Sequence, residues 1–270
     1  IGIIVANVPE GLLPTVTLSL AMATQRMAKR HALIRHLPSV EALGSATVIC
    51  TDKTGTLTQN KMSVRTVYLQ NEFFTPIQLQ RQPDIVQNQR RFFENALLCQ
   101  SLKETITDGQ KNTFGDPMEI ALVHTAKTCL GETLAYPKIN EVAFDTDRKR
   151  ISTIHQTPKG VILYCKGALE TVLPLCTHSQ QQGDIIALSE DEKQKILQAQ
   201  EAMADEGLRV LAFAWREIDT GHNSESQENA LIFCGLVGLE DPPRPEVADA
   251  MQKCHTAGIK VIMVTGDNPH

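Results

Sequence analysis

A carboxylate, a lysine and three hydroxyls stand together in Asp52-Lys53-Thr54-Gly55-Thr56-Leu57-Thr58, one residue after the short apolar run Ala46-Thr47-Val48-Ile49-Cys50. A strand ending in a glycine-containing turn presents backbone amides beside such side chains, and those groups suit a phosphoryl group in transfer. A carboxylate nucleophile at Asp52 would take the phosphoryl group as an acyl phosphate, which divides one difficult transfer into two steps. Its oxygens are also hard ligands of the kind magnesium takes. Nearby Thr56 can donate to the phosphate.

A matching unit lies further along the chain. Pro245 marks a helix start, Val247, Met251 and Cys254 share one face, Gly258 is the C-cap, and Ile259 to Val264 reads as a strand. It leads into Thr265-Gly266-Asp267. Apart from Thr47 and Lys260 both strands are apolar, which predicts a parallel sheet covered by helices on two faces, with reactive groups at the carboxyl ends of its strands. Asp52 and Asp267 fall at that position.

The residues between form an inserted domain with its own elements. A helix is predicted from Asp116-Pro117 to Cys129, and another is opened by the capping box Ser189-x-x-Glu192 and closed at Gly207. Strands are predicted at Gly160 to Cys165 and Arg209 to Trp215, while Gln78 to Gln89 and Thr220 to Asn229 read as polar loops.

Ile1 to Ala23 holds a single ionisable side chain, Glu10. At about 1.5 Å rise per residue such a stretch crosses most of a bilayer as a helix. The basic cluster Gln25-Arg26-Met27-Ala28-Lys29-Arg30-His31 marks its cytoplasmic end and argues against a secretory signal. Pro9 removes a backbone donor next to Glu10, and freed carbonyls beside a carboxylate can coordinate a cation. A basic amphipathic stalk continues to about Ile34, and the stretch Ala21 to His36 connects this segment with the strand before Asp52. A buried soluble helix kinked at Pro9 is the other reading of the segment.

Composition removes several function classes. With 270 residues and 42% hydrophobic content the chain can bury a core, and a net charge of -5 offers no basic stripe for nucleic acid. Seven cysteines and eight histidines are scattered without metal-ligand spacing, which argues against a disulfide scaffold or a zinc site.

The heptapeptide from Asp52 to Thr58 resembles the phosphorylation motif of P-type ATPases, within the haloacid-dehalogenase-like superfamily. Thr54 stands where soluble phosphatases of that superfamily place a second aspartate, so the resemblance implies a phosphoenzyme that persists. It implies Asp52, Lys53, Thr54, Thr56, Thr265, Gly266 and Asp267 as catalytic residues, with Asp52 and Thr54 at Mg2+. The insert resembles the family's nucleotide-binding domain at Gly115-Asp116-Pro117-x-Glu119, at Phe144 followed by Asp147-Arg148-Lys149, at Lys166-Gly167-Ala168 and at Arg209.

In that resemblance Phe144 stacks on adenine, Glu119 accepts from the adenine amino group, Lys166 with Gly167 borders the purine pocket, and Lys149 and Arg209 face the phosphates. Asp241-Pro242-Pro243-Arg244 is similar to the hinge where the insert rejoins the phosphorylation domain, with Asp241 and Arg244 counted in the ATP-binding set. Leu169 departs from the family's usual proline before Glu170.

Val5-Ala6-Asn7-Val8-Pro9-Glu10-Gly11-Leu12 resembles the unwound fourth transmembrane helix of the cation pumps, which implies Glu10 and the carbonyls of Val5, Ala6 and Val8 as ligands of the transported cation. The stretch Asn7 to Leu13 looks like sodium/potassium or proton/potassium pumps, whereas Leu37 to Gly44 looks like calcium pumps, so the ion stays open.

The expected organisation is a transmembrane helix end and stalk over 1–36, an incomplete α/β phosphorylation domain over 37–61 and 239–270, and an α+β nucleotide-binding domain over 62–238. The implied function is ATP-driven cation transport, with ATP and Mg2+ as cofactors. The implied partners are the cation, the lipid bilayer and the pump's remaining domains, and residues from about 24 onward are expected on the cytoplasmic side. A soluble phosphatase and a non-catalytic nucleotide-binding module are the rival readings.

Overall fold

The computed structural model describes residues 11–107, 110–132, 134–218 and 228–264. In chain order these form α1 (Leu12–Ala28), α2 (Leu37–Gly44), β1 (Val48–Asp52), β2 (Ser63–Leu69), β3 (Glu72–Phe74), α3 (Pro76–Gln80), α4 (Pro83–Asn88) and α5 (Arg90–Leu98). There follow β4 (Lys103–Thr107), β5 (Gln110–Phe114), α6 (Pro117–Leu130), β6 (Lys138–Asp145), β7 (Arg150–Thr157), β8 (Gly160–Gly167) and α7 (Leu169–Val172). The last are β9 (Cys176–Gln181), β10 (Asp184–Ala187), α8 (Glu190–Asp205), β11 (Arg209–Ile218), β12 (Leu231–Glu240), α9 (Val247–Thr256) and β13 (Lys260–Val264). The described residues divide into two compact units, one of 11–57 with 244–264 and the other of 58–243.

In the first unit β1 and β13 pair in parallel, from Val48 opposite Lys260 to Asp52 opposite Val264. The parallel pairing matches the apolar runs, but among the described residues nothing covers the two strands: Val48, Ile49, Ile262, Met263 and Val264 are exposed. A two-stranded sheet has too few neighbours to bury both faces of its strands. Helix α1 ends at Ala28, His31 takes a left-handed backbone with φ 63°, and α2 starts afresh with Pro38 in its first turn. Among the described residues no helix is long and apolar enough to cross a membrane.

The second unit is built on a nine-stranded sheet in the order β10-β9-β12-β11-β8-β7-β6, with β2 also paired to β12 and β3 to β2. Alternation along the strands sends successive side chains to opposite faces. Ile162 and Tyr164 of β8 with Phe213 and Trp215 of β11 pack with Phe92, Phe93, Leu122 and Ala126 of α5 and α6. Leu163 and Cys165 with Ala212 and Ala214 join Leu169, Val172, Ile196 and Met203 of α7 and α8 on the opposite face. Because helices cover both faces, β8 reads as a continuous apolar run rather than an alternating one.

The stretch Gln78 to Gln89 is not loop. It folds into α3 and α4, with Pro76 and Pro83 in their first turns, a capping box between Thr75 and Gln78, and Leu79 and Val86 buried. Prolines that look like loop punctuation here start helices. The helices expected near Asp116 and Ser189 form with those side chains as N-caps, accepting from the amides of Met118 and Glu192.

Candidate functional site

Asp52 closes β1 opposite Val264, so its carboxylate stands at the carboxyl end of a parallel pair. The chain then turns tightly through Lys53 to Leu57, where Gly55 takes φ 74°, a backbone that favours glycine. The amide of Thr54 donates to Asp52 Oδ1 at 3.4 Å. Arg244 holds this turn from the other passage of the chain, its Nη2 donating to the Gly55 carbonyl at 3.0 Å and its amide to the Leu57 carbonyl at 2.9 Å.

These residues fit Mg2+. Asp52 supplies an exposed carboxylate, a hard ligand of the kind taken by an ion that keeps waters and binds one or two carboxylates with substrate phosphate oxygens. Thr265, Gly266 and Asp267, and likewise Val5, Ala6, Val8 and Glu10, lie outside the described residues.

In the second unit Asp241 acts as a clasp. Its Oδ2 accepts from the buried hydroxyl of Thr58 at 2.6 Å and its Oδ1 from the amide of Lys61 at 3.0 Å. Asp241 and Arg244 thus have backbone-holding partners of their own.

The other expected ATP-binding residues gather around one end of β8. Lys166 sits between Ile151 of β7 and Phe213 of β11, buried, and its Nζ donates to Glu119 Oε1 at 2.8 Å. Glu119 lies in the first turn of α6, where the helix dipole favours an acid, and its Oε2 accepts from the Ser101 amide at 3.0 Å. Arg209 opens β11 and reaches the Met118 sulfur, 3.7 Å away, beside Glu119.

Gly167 is required by close approach. A Cβ there would fall 2.7 Å from Arg150 Cα and against the Lys149 carbonyl. That carbonyl accepts from the Ala168 amide at 2.9 Å, which ties the Lys166-Gly167-Ala168 corner to the turn between β6 and β7. In that turn Asp145 accepts from the amides of Asp147 and Arg148, which hold its carboxyl below the usual carboxylate range, and Lys149 has φ 47°. Phe144 precedes the turn with 61% of its surface exposed, an apolar ring open to a planar ligand.

The family profile described as P-type ATPase, cytoplasmic domain N, matches residues 88–246. The chain belongs to the P-type ATPases. The matched stretch includes Glu119, Phe144, Lys149, Lys166, Gly167, Arg209, Asp241 and Arg244, whereas Asp52 precedes it. Calcium-transporting ATPase 1 of Bacillus cereus is 42% identical over 99% of this chain and 30% of its own length. Sodium/potassium-transporting ATPase subunit alpha-2 of Gallus gallus is 38% identical over 100% of this chain and 29% of its own length. Cation-transporting ATPase pma1 of Synechocystis is 36% identical over 99% of this chain and 32% of its own length. The chain thus spans about 30% of the length of these P-type ATPases.

Sequence reasoning missed two polar networks of this P-type ATPase chain. Glu94, buried on α5, accepts from Arg90, Arg91 and the Tyr164 hydroxyl. Glu228, also buried, accepts from Arg148, Arg150 and Ser152. Glu228 falls in the polar stretch Thr220 to Asn229, whose residues 220–227 lie outside the described ones, and nothing in its local sequence sets it apart from its neighbours.

Proposed function

We propose that this chain is the part of a cation-transporting P-type ATPase that binds ATP and accepts its terminal phosphoryl group on Asp52. Residues 1–36 are assigned to a membrane helix end and stalk, 37–61 and 239–270 to the phosphorylation domain, and 62–238 to the nucleotide-binding domain. ATP lies against Phe144, with Glu119, Lys166 and Gly167 at the base and Lys149 and Arg209 toward the phosphates. The observation carrying this reading is the corner where Lys166 pairs with Glu119 while Gly167 closes on the Lys149 turn.

In the transfer an Asp52 carboxylate oxygen attacks the γ-phosphorus, the bond to the bridging oxygen of the β-phosphate breaks, and ADP leaves with that electron pair. Lys53, Thr54 and Thr56, with Thr265, Gly266 and Asp267, orient and neutralise the phosphoryl oxygens. Mg2+ held at Asp52 and Thr54 supplies charge neutralisation when bound. Glu10 with the carbonyls of Val5, Ala6 and Val8 is assigned to the cation, monovalent or divalent. The names of the relatives include both calcium and sodium/potassium transport.

The test uses the intact parent pump in membranes with γ-labelled ATP and Mg2+, a hydroxylamine-lability assay, Asp52→Asn, and sodium, potassium and calcium in turn. Hydroxylamine-labile label that is absent from D52N and depends on one ion supports the reading and names the ion. Absence of Asp52-dependent label under every ion overturns the phosphoryl-transfer assignment and leaves a nucleotide-binding module.

A further inference from the structure

Lys149 occupies a costly conformation. A left-handed backbone at a residue with a side chain costs roughly 1 kcal/mol or more and persists only where the surroundings over-determine it. Its ammonium meets Glu170 Oε1 at 3.1 Å, but both side chains are more than half exposed, and such a surface pair contributes about 0–1 kcal/mol. That pair is too weak to fix the direction in which Lys149 points.

The residues on either side of Lys149 are held far more firmly. Arg148 Nη2 donates to Glu228 Oε1 at 2.5 Å and to Oε2 at 2.6 Å. Arg150 approaches Oε2 with Nε at 3.0 Å and Nη2 at 2.9 Å, and Ser152 Oγ donates to Oε1 at 2.7 Å. The Glu228 side chain is only 3% exposed, so these charge-assisted bonds act with little screening by water. Burial pushes the Glu228 carboxyl up, yet the donors from Ser152, Arg148 and Arg150 outweigh it and hold it below its ordinary value.

We propose that Glu228 is a positioning residue for the nucleotide phosphates: by clamping Arg148 and Arg150 on either side of Lys149, it sets the direction of the Lys149 ammonium. The inference rests on the reading of this corner as the ATP site. Glu228 acts through the backbone turn between β6 and β7. Without its carboxylate the two guanidinium groups would repel each other, and the turn between β6 and β7 would relax.

The test is an NMR titration of the 270-residue chain with ATP and, separately, with adenosine, on the wild type, Glu228→Gln, Glu228→Asp, Lys149→Ala and the E228Q/K149A double variant. E228Q is expected to weaken ATP binding about five- to tenfold while adenosine binding is unchanged, the range of modest coupling energies. E228D should recover part of the loss, and the double variant should bind ATP no more weakly than K149A. Equal losses for ATP and adenosine, additive effects in the double variant, or no effect of E228Q would overturn the proposal. If E228Q does not fold, Arg148→Met, which keeps the Arg150 pair, must show the same phosphate-selective loss or the proposal fails. A wild-type chain that binds neither ligand, or a Phe144→Ala variant that binds both normally, would instead sink the nucleotide-site reading, and the positioning role with it.

Discussion

Lys166 Nζ lies 2.8 Å from Glu119 Oε1, with the two side chains 5% and 14% exposed, across 47 positions of sequence. Two opposite charges withdrawn from water in this way depend on each other. Removing one leaves the other buried without an opposite charge, which costs about 3–5 kcal/mol, whereas removing both is far milder. Lys166→Met should therefore destabilise the chain by about 3 kcal/mol in urea denaturation, and K166M/E119Q should recover much of that loss. Additive destabilisation in the double variant would show that the pair is not coupled.

Phe144 is predominantly exposed, so its ring contributes little to the core. Phe144→Ala should leave the melting temperature nearly unchanged while weakening ATP binding about tenfold, the scale of one lost base-aromatic stack. Calorimetric melting and ligand titration on the same sample check both halves. A large drop in melting temperature would mean that the ring is structural.

Gly167 has no room for a methyl group against Lys149 and Arg150. Gly167→Ala should push the turn between β6 and β7 away from β8 at a cost of about 1–3 kcal/mol, as overpacking does. Hydrogen exchange should then show lost protection at the Ala168 amide, which donates to the Lys149 carbonyl in the native fold. Retained protection at that amide would contradict the close-packed account of this corner.

His155 is buried, its Nδ1 lies 3.2 Å from the Tyr136 carbonyl, and burial holds its pKa below the ordinary 6.5, with the nearby charge of Lys138 acting in the same direction. The folded chain thus binds its proton less readily than the unfolded chain. As pH falls below 6.5 the unfolded state gains the proton first, so stability is lost on acidification by up to about 1.4 kcal/mol per pH unit. His155→Gln should flatten that slope between pH 7 and 5 in denaturation curves. An unchanged slope would assign the acid loss to other groups.

The turn after β1 and the starts of two helices were legible because local sequence fixes their backbone. The turn from Asp52 to Thr58 could be read because a carboxylate, a glycine and hydroxyls must follow a strand directly, and all of these are neighbours in sequence. Strands β1, β8, β11 and β13 could be read as short apolar runs, and α6 and α8 from their Asp116 and Ser189 caps. Tertiary structure decided what depends on distant partners. Leu79 and Val86 turn a polar stretch into α3 and α4 because a core elsewhere in the chain receives them. Glu228 is an ordinary acid in a polar tract until sheet pairing brings Arg148, Arg150 and Ser152 to it across 76 to 80 positions of sequence. A local pattern reports the backbone that a residue favours, but a buried charge is defined by its partners, and only the fold selects those.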